Sequence, residues 1–230
     1  MRLLQQLQGG LVVACEALPG EPLHGSAFMV AMAVAAARGG AQGILANGPA
    51  ELAAIRAKVP LPLIGVLLRE YPDSTVSVTP TLAEVAEVVD AGAQLVGIDA
   101  TERWRPEGQS LPDLVRTVRA RYPDVPLMAE VATVREASLA QELGFDCVSS
   151  ALYGFTQETA GRHLSDDDFE HLRKLRAAVV RCPLVAEGGI STPAQAARTL
   201  RLGSDLVVVG SAITRPQFIT STFARALRAR

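Results

Sequence analysis

Lysine is almost missing from this sequence: Lys58 and Lys174 stand against twenty arginines. Cysteine is also scarce. Cys15, Cys147 and Cys182 are far apart, each beside or within an apolar run, which excludes a disulfide framework and points to buried free thiols in a reducing cytoplasm. No basic run occurs and the net charge is −2, so nothing invites nucleic acid or an anionic membrane. No stretch of about 18 uncharged apolar residues suggests a membrane span. The opening MRLLQQLQGGLVVACEALPG lacks the long apolar core of a secretion signal. Apolar residues, by contrast, make up 49% of the chain, enough for a well-filled core and too many for disorder.

Those apolar residues are arranged in eight runs: 10–15, 41–46, 62–67, 94–100, 126–132, 146–152, 183–189 and 205–211. Helix-period segments separate them, and a last one, PQFITSTFARALRAR, closes the chain. Near-continuous apolar strands alternating with helices predict a parallel sheet covered on both sides. Eight such units are the arithmetic of a (β/α)8 barrel, an α/β fold, over residues 1–230 as one domain. RGGAQGI, DAGAQLV, ELGFDCV and RLGSDLV each place a glycine at a helix end, where a left-handed C-cap turns the chain into the next strand. An open doubly wound sheet would want a glycine-rich loop after its first strand, and CEALPGEPLHG matches that poorly.

In such a barrel the C-terminal strand ends form the active face. The residues there are Glu16, Asn47, Leu68 with Arg69, Asp99 with Thr101 and Arg103, Glu130, Ser149 with Ser150, Glu187 and Gly210. Four carboxylates on one rim point to a polar pocket. Glu187 alone carries two readings, a chemical group or a strand-ending charge that a turn leaves solvated. It opens EGGISTPAQAA, in which Thr192 and Pro193 read as helix N-cap and first turn. Gly188, Gly189 and Gly210 remove the Cβ atoms that would keep an anion away, and Ser211 adds a hydroxyl. Two glycine turns at neighbouring strands 7 and 8 predict a phosphate cradle.

These blocks resemble the bacterial N-acetylmannosamine-6-phosphate 2-epimerases. The similarity runs almost end to end through GGLVVACEALPGEPLHG, ANG, VSVTPT, IDATERWRP, GFT, AEGGISTPAQA and VVVGSAITRP. The resemblance implies a (β/α)8 barrel that inverts C2 of a 2-acetamido-sugar 6-phosphate. It also implies proton transfer by Glu187, phosphate on Gly188, Gly189, Gly210 and Ser211, and Arg215 near the substrate. Asp99, Arg103, Asn47 and Arg69 complete the expected substrate contacts. The sugar end is rewritten: Leu68 stands where the family has a lysine, Leu45 where it has an arginine, Glu16 for a glutamine, Glu130 for an aspartate and Gly189 for an arginine.

Neither lysine can replace the missing one. Lys58 precedes strand 3 at the far end of the barrel, and Lys174 lies within the helix before strand 7, so lysine-base and Schiff-base chemistry are excluded. Arg69 is always charged and a poor base, and His24 belongs to a loop. Catalysis then falls to Glu187, Glu130 and Glu16, whose mutual repulsion should raise their pKa values until acid and base coexist at neutral pH. The same carboxylates could hold a divalent cation such as Mg²⁺, but no His-rich set is visible and neither metal nor cofactor is expected. Three readings follow. The first is interconversion of N-acetylmannosamine 6-phosphate and N-acetylglucosamine 6-phosphate. The second is a different carboxylate-based lyase, isomerase or cyclisation reaction on the same barrel. The third is a non-catalytic sugar-phosphate-binding protein. A phosphorylated small molecule is the expected partner, with pairing into a homodimer.

Overall fold

A computed structural model describes residues 2–228. Eight strands form: β1 (Leu11–Cys15), β2 (Gly43–Asn47), β3 (Leu63–Val66), β4 (Leu95–Asp99), β5 (Leu127–Glu130), β6 (Cys147–Ser149), β7 (Leu184–Ala186) and β8 (Leu206–Val209). They pair in parallel in chain order, and β8 closes the barrel against β1. Seven lie inside one of the eight apolar runs, and β2 extends one residue past its run, to Asn47.

The helices that cover the barrel are α2 (Ser26–Arg38), α3 (Pro49–Arg56), α4 (Leu82–Asp90), α5 (Leu111–Arg121), α6 (Val134–Glu142), α7 (Asp166–Ala178) and α8 (Pro193–Arg201). The glycines expected to reverse the chain do so: Gly40, Gly92, Gly144 and Gly203 have φ of 96°, 103°, 81° and 98°. Thr192 caps α8 as expected, its side chain accepting from the Gln195 N–H. The start of α7 departs from a regular helix, because Asp167, Asp168 and Phe169 have positive φ.

Three helices fall outside the repeating units. α1 (Arg2–Leu7) precedes β1 and was not expected from the sequence; it buries Leu4 and Leu7 against the interior residues Val12, Leu45 and Leu206, which plugs the N-terminal end. After β8 come a short α9 (Ser211–Thr214) and then α10 (Pro216–Arg228). Ala229 and Arg230, the end of the expected last helix, lie outside the described residues.

Because successive strand residues point to opposite faces, each strand divides its side chains between two cores. Val13, Ile44, Val96, Ala129 and Val207 face the helices. Val12, Leu45, Ile64, Leu95, Met128 and Val208 fill the interior. The interior phase, continued past each strand's end, decides which side chains meet at the mouth.

Candidate active site

Following the interior phase upward places Glu16 above Ala14, Leu68 above Val66, Asp99 above Gly97, Glu130 above Met128, Glu187 above Val185 and Gly210 above Val208. A cavity of about 920 Å³ opens there, with Glu16, Glu130 and Glu187 in its wall. The Asp99–Glu130 and Glu130–Ser149 register pairs put two of these ends side by side, with Ser149 of β6 next in the row. Gly97 makes room for the longer glutamate, since a Cβ on Gly97 would lie 2.7 Å from Glu130 Oε1.

Glu130 is buried, and its carboxylate accepts no hydrogen bond from any described residue. Burial first, then the charges of Glu187, Glu16 and Asp99, push its pKa well above the usual carboxylate range. Glu187 is half-buried and is raised to about 7, chiefly by desolvation and further by Glu16, against a hydrogen bond from Ser149 that favours the ionised form. Glu16 is likewise raised to about 7 by burial, with Arg215 opposing and Glu21 reinforcing the shift. Water therefore does not solvate Glu187 as freely as a turn at the rim would suggest.

Asp99 is spent on structure. It is fully buried, accepts from Thr101 Oγ at 2.6 Å and pairs with Arg103 Nη2 at 2.5 Å. That contact, with Thr101 Oγ and the Thr75 carbonyl as further acceptors, holds the Arg103 guanidinium at the cavity wall. Arg215 also lines the cavity, 3.4 Å from Ser211 Oγ and 3.3 Å from Glu21 Oε2.

One expected substrate contact, Arg69, lies elsewhere. Arg69 turns away from the mouth to α4, where it meets Glu84 at 2.5 Å and Glu87 at 2.8 Å. The fully buried Glu84 demands that partner more strongly than a solvated pocket does. Asn47 is occupied in holding the β3 end, its Oδ1 accepting from the Leu68 N–H at 2.9 Å. His24 braces its loop through a 3.0 Å contact with the Ala17 carbonyl. Lys58 lies in the turn before β3, and Lys174 pairs with Glu170, so neither stands in the cavity wall.

Gly188 and Gly189 have φ of 95° and 67°, a left-handed pair that an L side chain would strain. They line the cavity with Gly210 and Ser211. Among the described residues nothing accepts from the N–H groups of Gly188, Gly189 or Gly210, which leaves three donors beside the cavity. Leu45, Val66, Leu68, Val78 and Leu152 give the cavity an apolar share of its lining. Among the described residues no group of three or more His, Cys, Asp or Glu side chains is arranged to hold a metal ion.

A family model, provisionally described as N-acetylmannosamine-6-phosphate epimerase (NanE), matches residues 29–229. The chain belongs to this epimerase family. A relative from Enterobacter sp. (strain 638), provisionally named N-acetylmannosamine-6-phosphate 2-epimerase, is 51% identical over 99% of this chain and 96% of its own. One from Listeria monocytogenes with the same provisional name is 43% identical over 98% and 95%. Among solved structures, the N-acetylmannosamine-6-phosphate 2-epimerase from Clostridium perfringens superposes with a TM-score of 0.91 at 41% identity, covering 97% of this chain and 95% of that one. A thiamine phosphate pyrophosphorylase from Pyrococcus furiosus shares the fold alone, with a TM-score of 0.62 at 20% identity.

Within this epimerase-family barrel, sequence reasoning missed part of the cavity wall. Phe155, His163 and Arg225 line it, from the β6–α7 loop and α10. No local pattern marks them, because none stands at a strand end: each reaches the mouth from a loop or helix packed over it.

Proposed function

We propose that this chain epimerises C2 of a 2-acetamido-sugar 6-phosphate, interconverting N-acetylmannosamine 6-phosphate and N-acetylglucosamine 6-phosphate, with carboxylates in place of a lysine. The observation that carries the reading is the joining, in one cavity, of proton-titrating carboxylates with the unpartnered amides of two glycine turns.

The open-chain sugar brings a C1 carbonyl next to a weakly acidic C2–H. An ionised carboxylate, Glu187 or Glu16, takes the C2 proton, and the C–H electron pair moves into the C1–C2 bond as the carbonyl oxygen gains charge. Glu130, kept neutral by burial and by its carboxylate neighbours, is suited to donate a hydrogen bond to that oxygen. The other member of the pair, protonated, returns a proton to the opposite face of C2. Two acids near pH 7 suit this task, since one ionised and one protonated group coexist at neutral pH. The amides of Gly188, Gly189 and Gly210 hold the phosphate, with Ser211 and Arg215 beside them. The reaction so written calls for no cofactor.

A homodimer is part of the proposal. α10 buries no residue and exposes Phe223 and Leu227 by 69% and 68%, an apolar stripe that a second copy would cover. A cytoplasmic location accords with the free cysteines. No helix among the described residues is long and apolar enough to cross a membrane.

The test is N-acetylglucosamine 6-phosphate in deuterated water, followed by NMR. Deuterium should enter C2 as the mannose epimer accumulates. Leu68 supplies no base, and one positioned base contributes about 10²–10⁴-fold, so turnover should fall well below an ordinary enzyme's rate of about 10 per second. If both epimers bind and neither exchanges its C2 proton, the site performs another carboxylate reaction or only binds.

A further inference from the structure

We propose that His163 is a phosphate-binding residue of this cavity, delivered by a loop that is already folded to present it. The proposal rests on the phosphate cradle described above. Gly189 has no side chain, and the place beside it is taken from another element: a Cβ on Gly189 would lie 3.9 Å from His163 Nδ1 and 3.8 Å from the Leu164 N–H. The imidazole thus borders the turn whose amides are unpartnered, and both line the cavity. A ring N–H can donate to a phosphate oxygen, and the protonated ring adds a positive charge.

The loop between β6 and α7 is internally tied. At Gly154 (φ 95°) the backbone passes so close to Arg162 that a Cβ would lie 2.3 Å from the Arg162 carbonyl oxygen. Thr159 Oγ accepts from the Gly154 N–H at 2.9 Å and meets Thr156 Oγ at 2.9 Å, and both threonines are buried. Tyr153 stacks on His171 of α7 with ring centroids 3.7 Å apart, which moors one end of the loop. The other end is held by the His163 N–H donating to Asp166 Oδ2 at 2.8 Å, followed by the buried Leu164. His163 itself is exposed, so its ring remains free to meet a ligand. A ligand held by a loop of this kind loses little loop entropy on binding.

Calorimetric titration of N-acetylglucosamine 6-phosphate and of unphosphorylated N-acetylglucosamine reads the phosphate preference directly. The wild type should prefer the phosphorylated sugar. His163→Ala should reduce that preference about 10- to 100-fold, the range for a hydrogen bond to a charged group. The thermal midpoint should stay put because the ring is exposed, and His163→Lys should restore most of the preference. A wild type with no preference overturns both the cradle and this inference. A preference kept in His163→Ala overturns the role of His163 alone and leaves the cradle standing.

Discussion

Ser149 Oγ lies 2.7 Å from Glu187 Oε2, and the same oxygen accepts from the Ala151 N–H at 3.2 Å. The amide takes up an acceptor site of the hydroxyl, so its single proton goes to the glutamate. This bond favours the ionised carboxylate and opposes the upward push of burial. Ser149→Ala should therefore raise the Glu187 pKa further above about 7. The acid limb of the kcat/KM profile should move to higher pH by about one unit, the equivalent of one hydrogen bond to a charged group. An unmoved limb would mean that Glu187 is not the group titrating in catalysis.

Glu187→Gln keeps shape and hydrogen-bonding reach but abolishes proton transfer. The rate of C2 exchange should drop by about 10²–10⁴-fold. Stability should hold or rise slightly, because burial already disfavours the charge that the substitution removes. Exchange at the wild-type rate would return Glu187 to the scaffold, and a large fall in melting temperature would do the same.

Glu16, Glu130 and Glu187 all have pKa values raised on folding, so the native state binds more protons than the unfolded chain. Stability from this source is full below the unfolded carboxylate value of about 4.5 and is lost as pH rises through the folded values, near 7 for Glu16 and Glu187. Thermal unfolding should give a higher midpoint at pH 5.5 than at pH 8. Glu130→Gln should flatten that dependence and raise the midpoint on the alkaline side. A midpoint that climbs steadily with pH in the wild type contradicts the assignment.

Arg69→Ala probes the placement of Arg69 against α4. Removing it leaves the buried Glu84 with Tyr71 and Thr81 as its remaining partners. Arg69 is partly exposed, so solvent screening limits the loss to about 1–2 kcal/mol. KM for the sugar phosphate should not change, and a large rise in KM with normal stability would put Arg69 back at the substrate.

What the sequence determines by itself is local. Eight apolar runs separated by helix-period segments dictate eight strands and their order, because each unit must bury its own stripe before the next begins. The glycines at helix ends and the Glu187-Gly188-Gly189 turn are legible for the same reason: a backbone conformation that only glycine adopts easily is written in the residue itself. Tertiary structure alone decided which rim residues meet. Arg69 and Asp99 stand at strand ends as plainly as Glu187, yet one is drawn outward by Glu84 and the other satisfied by Thr101 and Arg103. Burial of a charge depends on partners distant in the chain, and no local pattern encodes it. The same holds for α1 beneath the barrel and for His163 beside Gly189, 26 residues downstream of it, which meet only once β6 and β7 pair side by side.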